Sequence, residues 1–228
     1  MLSVSEIFDR LNLEHANQSR LSIVPKPDEE RARERGGTSV DLRLGRWFRS
    51  FKQSQSTHYE LWAEPVGGNG REKVRAIGTK EHFVRFGSEF VLHPGRFVLG
   101  VTLEWLSLPV DLSGYVTGKS SLGRHGLVIE TAAGIHPGFS GCLTLELANV
   151  GEVPLVLSPG MEICQIFLHK TKAPKERADT STDVDPKANA RNPGTFSGRR
   201  KPAIDLPKVD ATFEKLKGPM RSDKDEAT

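Results

Sequence analysis

The sequence has few cysteines and no long apolar run, the features that mark disulfide-rich, zinc-binding and membrane proteins. It contains only two cysteines, Cys142 and Cys164, and no Cys-x-x-Cys pair. A disulfide framework and a structural zinc site are therefore not predicted. No apolar run approaches the roughly 20 residues that span a bilayer, and the start of the chain lacks the pattern of a signal peptide. We expect a cytoplasmic protein with no membrane partner.

The charge is also too well balanced to define a partner. A formal net charge of +3 does not by itself indicate nucleic-acid binding, and no nucleic-acid partner is predicted. Small anionic ligands remain possible. With 228 residues, 36% of them hydrophobic, the chain can build one core with extensions.

Short apolar stretches separated by glycine and proline dominate the first 170 residues. Val40, Leu42 and Leu44 alternate with polar residues, as in a strand with one buried face. Many such stretches indicate a mainly β protein, an all-β sandwich or barrel-like domain over residues 1–170.

Three local patterns complete this interpretation. Ser3 and Glu6 have the spacing of a capping box and predict a short N-terminal helix. The charged stretch 25–37 predicts a solvated loop. Residues 66–73, with the sequence VGGNGREK, predict an exposed hairpin tip.

The C-terminal segment, residues 171–228, has a different character. The chain from Lys170 onward carries 24 charged side chains and few large apolar ones. Such a segment cannot offset its ordering entropy alone. We expect a charged tail that is partly ordered over the active site or a neighbouring subunit, with one short helix at residues 210–218.

Glu146 is the first residue that suggests chemistry. In the stretch LTLEL, Leu143, Leu145 and Leu147 point one way, so Thr144 and Glu146 point the other. A plain surface glutamate explains this pattern. The competing interpretation is a semi-buried carboxyl with a raised pKa, suited to moving a proton near neutral pH.

Residues 118–124, with the sequence GKSSLGR, place two cations and two hydroxyls within seven residues. Such a cluster suits a phosphate chain, because cations neutralise charge and hydroxyls and amides supply directed donors. The spacing is not that of a Walker loop, and a basic turn between strands is the plainer alternative. The H-x-E and P-C-x-x-C signature of zinc deaminases is absent from the sequence.

Together these stretches resemble the dCTP deaminases of the dCTP deaminase/trimeric dUTPase superfamily. The segments that carry the resemblance are TSVDLRLG (38–45), FVLHPGRFVLG (90–100), GKSSLGRHGL (118–127), GFSGCLTLELANVG (138–151) and PLVLSPGMEICQIF (154–167). The resemblance implies a distorted β-sandwich of the dUTPase type. It also implies a homotrimer with nucleoside triphosphate sites between neighbouring chains.

The resemblance also implies an activity: zinc-independent hydrolytic deamination of dCTP to dUTP and ammonia. The enzyme would be a hydrolase acting on C–N bonds of cyclic amidines, with Mg²⁺ bound through the nucleotide phosphates and no zinc. Glu146 would move the protons, and Ser120 and Arg124 would assist it. The residues that would contact substrate are Lys119, Ser120, Ser121, Arg124, His136, Thr144, Leu145, Glu146, Gln165 and Lys187.

The sequence departs from that pattern at one position in particular. His136 stands where the resemblance implies an aspartate, and the segment before it, which we interpret as a hairpin, is one residue shorter. Three alternatives therefore stay open: a bifunctional dCTP deaminase/dUTP diphosphatase, a deaminase for a different or modified nucleotide, and a non-catalytic nucleotide-binding regulator. Because a mere binder does not need Ser120, Arg124 and Glu146 together, an enzyme is favoured.

Overall fold

The computed structural model describes residues 1–52, 78–130, 134–172 and 198–202. All of them except Lys52 and Gly78 belong to one compact unit. The hairpin tip predicted at 66–73, the helix predicted at 210–218 and Lys187 lie outside the described residues.

Within the described ranges, strands dominate and the helices are short. The helices are α1 (Val4–Leu11), α2 (Glu29–Arg35) and α3 (Ser120–Gly123). The strands are β1 (Ser22–Val24), β2 (Ser39–Arg43), β3 (Trp47–Phe51), β4 (Thr79–Phe83), β5 (Phe90–Leu92), β6 (Phe97–Val101), β7 (Trp105–Ser107), β8 (Leu112–Gly118), β9 (Leu127–Glu130), β10 (Gly134–Ile135), β11 (Ser140–Gly141), β12 (Thr144–Asn149), β13 (Leu155–Leu157) and β14 (Glu162–Lys170).

These strands form antiparallel sheets that do not close into a barrel. The largest has the order β4-β3-β6-β12-β9, and the second has the order β10-β8-β14-β2. Two smaller sheets have the orders β1-β7-β11 and β13-β5. Buried side chains of both larger sheets belong to one hydrophobic cluster, which includes Leu145 of β12 and Ile166 of β14. The prediction of a mainly β, sandwich-like fold is confirmed.

Helix α1 forms where the capping box predicts it. The Ser3 hydroxyl accepts a hydrogen bond from the Glu6 N–H, and the Glu6 carboxylate accepts one from the Ser3 N–H. The helix buries Val4, Ile7, Phe8 and Leu11 in the core. This amphipathic face, rather than intrinsic propensity, stabilises so short a helix.

Helix α2 contradicts the prediction of a solvated loop at 25–37. The Asp28 carboxylate caps its first turn by accepting from the Arg31 N–H, and Glu29 pairs with Arg33 one turn later. Gly36 ends the helix with a φ of +66°. No side chain of α2 is buried. The capping and charge-pair signals were present in the sequence, but without an apolar stripe they resembled a charged loop.

The two apolar runs around Pro94-Gly95 are strands, but they do not pair with each other. Strand β5 pairs with β13, whereas β6 pairs with β3 and β12. Asn149, at the end of β12, holds this junction together. Its buried side-chain amide donates to the carbonyls of Leu92 (2.9 Å) and Val153 (2.8 Å), and its side-chain oxygen accepts from the Gly151 N–H (2.9 Å).

None of the helices in the described part of the chain is long and apolar enough to cross a membrane.

Asn149 provides a test of this packing. We expect Asn149→Asp to lower the free energy of unfolding by roughly 3 kcal/mol, because a carboxylate cannot donate to two buried carbonyls. Urea denaturation followed by circular dichroism measures the change. Asn17→Asp is the matched control, since Asn17 is exposed and its side-chain oxygen accepts a hydrogen bond from the Ser19 N–H, which a carboxylate can also accept. Equal midpoints for the two variants would contradict the account.

Candidate functional site

The GKSSLGR stretch forms a tight turn at the end of β8. A Cβ at Gly118 would lie 2.9 Å from Ile129 Cβ, so only glycine allows β8 to approach β9 this closely. The chain then enters α3, where the Ser120 carbonyl accepts a hydrogen bond from the Arg124 N–H. Ser120, Ser121 and Arg124 are exposed. Contacts between described residues engage neither serine hydroxyl nor the Arg124 guanidinium. These groups are free to bind a ligand.

Glu146 lies on the middle of β12, between β6 and β9. Its neighbours Leu145 and Leu147 are fully buried, whereas the Glu146 side chain is exposed on the opposite face. The alternation predicted for this strand is confirmed. Among the described residues, no hydrogen bond or ion pair engages the Glu146 carboxylate. In an isolated chain it is a surface glutamate, and a semi-buried environment would require a neighbouring subunit.

One chain does not place Glu146 beside the α3 turn. Glu146 pairs with Glu130, and its neighbour Leu147 pairs with Ile129 of β9. Gly118, at the start of the turn, approaches Ile129 on the buried face of the sheet, whereas the Glu146 side chain is exposed on the opposite face.

Lys119, by contrast, is already paired. Its Nζ lies 2.9 Å from Asp41 Oδ2 and 2.7 Å from Glu162 Oε2. Arg35 of α2 also pairs with Asp41, and its Nη1 lies 3.3 Å from Glu162 Oε2. Arg31 Nη1 lies 2.9 Å from Glu162 Oε1. We call these five residues the Lys119 network. Sequence reasoning singled out only Lys119 of the five.

The network perturbs the Glu162 carboxyl. Burial alone would raise the pKa of Glu162, but the hydrogen bonds and charges of Lys119 and Arg35 outweigh it and lower the pKa to about 2. Glu162 is therefore a fixed anion at neutral pH. It holds Lys119 at the start of the turn that carries the two serines.

The remaining predicted site residues lie in three places. Gln165 lies on β14, where its Oε1 accepts from the Ser39 hydroxyl (3.1 Å), and it lines a cavity together with Lys119. Thr144 is half-buried on the same face as Glu146. The Leu145 side chain faces the core, so only its backbone is available to a ligand.

His136 is exposed in a turn after β10, and its carbonyl accepts from the Phe139 N–H (3.2 Å). The segment before it is not the hairpin that the sequence suggested. Strand β9 pairs with β12 in the five-stranded sheet, whereas β10 pairs with β8 in the four-stranded sheet. The chain therefore passes from one sheet to the other ahead of His136.

The described end of the tail lies on the β domain. The Gly198 N–H donates to the Ser140 carbonyl (2.6 Å), and the Cys142 N–H donates to the Arg199 carbonyl (3.0 Å). Lys201 lies over the Trp47 ring at 4.0 Å from its centroid. Gly198 and Arg199 are thus hydrogen-bonded to residues 140 and 142 at and just after β11.

No group of three or more His, Cys, Asp or Glu side chains in the described ranges has an arrangement that could hold a metal ion.

Comparison with known proteins gives consistent matches. Residues 7–171 match the family described as dCTP deaminase-like. A Dictyoglomus thermophilum protein named "dCTP deaminase, dUMP-forming" is 40% identical over 171 residues, which cover 75% of this chain and 82% of that protein. A Natronomonas pharaonis protein named "dCTP deaminase" is 41% identical over 178 residues, which cover 78% of this chain and 84% of that protein.

A solved structure shares the fold. The crystal structure of 2′-deoxycytidine 5′-triphosphate deaminase from Agrobacterium tumefaciens superposes with a TM-score of 0.52 and 22% sequence identity. The superposition covers 75% of this chain and 48% of that longer chain.

The lowered pKa of Glu162 predicts a pH dependence of stability. Since the folded-state pKa lies below the ordinary value of 4.5, the stabilisation is present above about pH 4.5 and is lost as the pH falls toward 2. Glu162→Gln mimics the protonated state. Wild type should unfold at a higher urea concentration than this variant at pH 6, and the gap should shrink by pH 3. A gap that stays constant between pH 6 and pH 3 would contradict the assignment, and Glu152→Gln, which removes an exposed carboxylate, is the control for the substitution itself.

Proposed function

Because the chain belongs to the dCTP deaminase-like family, we propose that it deaminates dCTP hydrolytically, releasing ammonia and forming dUTP. The observation that carries the proposal is that a chain of this family has two sets of exposed polar groups that make no contact with other described residues. An exposed serine–arginine turn suits phosphates or a held water, and an exposed carboxylate on β12 suits proton transfer.

In the proposed mechanism, Glu146 removes a proton from a water molecule that attacks C4 of the cytosine ring. Glu146 delivers that proton to N3, then takes the second proton from the C4 hydroxyl of the tetrahedral intermediate and passes it to the amine, which leaves as ammonia. Ser120 and Arg124 hold the water and stabilise the tetrahedral intermediate. Donors positioned in this way contribute about 2.7–4 kcal/mol each to the transition state.

We propose that the active site is completed between subunits of a homotrimer. Glu146 is exposed on one face of the sheet, whereas the α3 turn begins at Gly118 against the buried face of β9, so a second chain would bring the two groups together. Phe97 supports an interface here, since it pairs with Ala148 on the same sheet face and is 42% exposed.

Assembly is directly measurable. Three chains of 25.2 kDa give about 76 kDa, which we expect light scattering to report. A fully active monomer of 25.2 kDa would contradict an intersubunit site.

Mg²⁺ is proposed as a partner of the nucleotide. The two carboxylates that contact Lys119, at the start of the α3 turn, are Asp41 and Glu162, and both also pair with Arg35. An ion held chiefly by phosphate oxygens and water fits this donor set, as is usual for Mg²⁺ with nucleotides. Its contribution would be to neutralise phosphate charge.

The domain division stays a proposal: a β domain over 1–170 and a tail over 171–228 that closes a site in its own or a neighbouring subunit. The hydrogen bonds of Gly198 and Arg199 to the β domain support a docked tail. The expected cytoplasmic location stays a prediction.

Members of the family differ in their product, and the remaining question for this chain is whether it forms dUTP or dUMP. One relative named above is called dUMP-forming and the other is not. The bifunctional alternative is thus the second candidate function. His136 favours simple deamination, because a histidine cannot supply the fixed negative charge that the aspartate of the resembled pattern would give a hydrolytic water.

Glu146→Gln tests the catalytic assignment. The amide keeps the shape and hydrogen bonding of the side chain but cannot accept the proton. We expect kcat for dCTP deamination to fall by at least ~10², with nucleotide binding retained. Ammonia release and calorimetric titration with dCTP measure the two quantities.

The matched control for this variant is Glu89→Gln, which removes one exposed carboxylate remote from β12 in sequence. It should keep wild-type turnover. Unchanged turnover in folded Glu146→Gln protein would show that another group moves the proton.

The product prediction uses dCTP and dUTP as separate substrates with Mg²⁺. Mass spectrometry should identify dUTP from dCTP, and pyrophosphate release from dUTP should be much slower than deamination. Pyrophosphate release at the deamination rate would replace this proposal with the bifunctional one. If no product forms from dCTP but another nucleotide is deaminated, the base specificity is wrong.

A further inference from the structure

A charged cavity lies directly beside the α3 turn. It has a volume of about 500 Å³ and is bounded by α2, β2 and β14. It reaches the turn at Lys119, the residue immediately before Ser120. Arg31 and Arg35 of α2 line the same cavity, and Gln165 and Ser39 add amide and hydroxyl groups.

Five basic and four acidic side chains line this cavity, so its wall carries one excess positive charge. Arg31, Arg35 and Lys119 share only two carboxylates, Asp41 and Glu162. One positive charge of this group is therefore left over. A cavity wall with an excess cation attracts a small anion.

The two arginines also have donors to spare. Arg35 uses Nη1 for both of its carboxylate contacts, and Arg31 uses Nη1 for its contact with Glu162. Within the described part of the chain, no contact engages Nε or Nη2 of either side chain. A guanidinium with free nitrogens can bind phosphate oxygens in the bidentate geometry that lysine cannot offer.

We propose that Arg31 and Arg35 of α2 bind the terminal phosphate of the nucleotide and make the enzyme select triphosphates. The inference rests on the proposed function, since the phosphate chain must begin at the α3 turn. From there it passes Lys119 into the cavity. Glu162 pairs with both arginines, and both line the cavity. A nucleotide with fewer phosphates would not reach their free nitrogens.

A binding experiment tests this without any turnover. The probe is inorganic tripolyphosphate, titrated calorimetrically into the full-length protein at fixed ionic strength. We expect the wild type to bind, and Arg31→Ala and Arg35→Ala each to weaken binding at least ~10-fold. Arg33→Ala is the matched control: it removes the same charge from the same helix, but Arg33 pairs with Glu29 and does not line the cavity.

Kinetics give the second readout. For dCTP, we expect Arg31→Ala and Arg35→Ala to raise KM about 10-fold with kcat nearly unchanged, whereas dCMP should react equally with wild type and variants. Arg35→Lys should restore little of the affinity for dCTP, because lysine supplies the positive charge but not the two parallel N–H donors of a guanidinium. Circular dichroism of each variant checks that α2 is retained.

Three results would overturn the proposal: no tripolyphosphate binding by wild type, equal binding by wild type and the Arg31 and Arg35 variants, or equal weakening by Arg33→Ala. The last would mean that only overall charge matters. If the protein deaminates no cytidine nucleotide, the proposed function fails, but the tripolyphosphate titration still decides the role of the two arginines.

Discussion

The central position of β12 is the constraint on which the site depends. Hydrogen bonding to β6 on one side and β9 on the other fixes the alternation of its side chains, so Leu145 and Leu147 enter the core and Glu146 cannot. A register slip of one residue would bury the carboxylate and expose two leucines. Asn149 holds the end of the strand by three side-chain hydrogen bonds, so the same residues that stabilise the sheet also aim Glu146 outward.

The charges around Lys119 fix a second part of the site. A lysine beside two serines could swing freely in solvent, but Asp41 and Glu162 restrict its Nζ to one position. The arginines of α2 join this network, which links a surface helix with no buried side chain to the sheet. These ion pairs hold the helix beside the α3 turn, although it has no apolar stripe that packs into the core.

The fold class and several local features could be predicted from the sequence, whereas strand pairing and long-range ion pairs could not, and α2 was predicted as a loop. The capping box of α1 and the alternation of β12 are properties of a few adjacent residues, and both predictions are confirmed. The pairing of β5 with β13 could not be predicted, because the Pro94-Gly95 turn is equally compatible with a hairpin. The Lys119 network joins residues 43 and 127 positions apart, which no local pattern reports.

The central claim is that Glu146 of one subunit works with the serine–arginine turn of its neighbour. Co-expression of Glu146→Gln and Arg124→Ala chains, each inactive alone and each carrying a different affinity tag, tests it most directly. Every trimer that contains both chain types has one site of three with both groups intact, so purified mixed trimers should return about a third of wild-type deamination. Purified mixed trimers that stay as inactive as either parent would contradict the account.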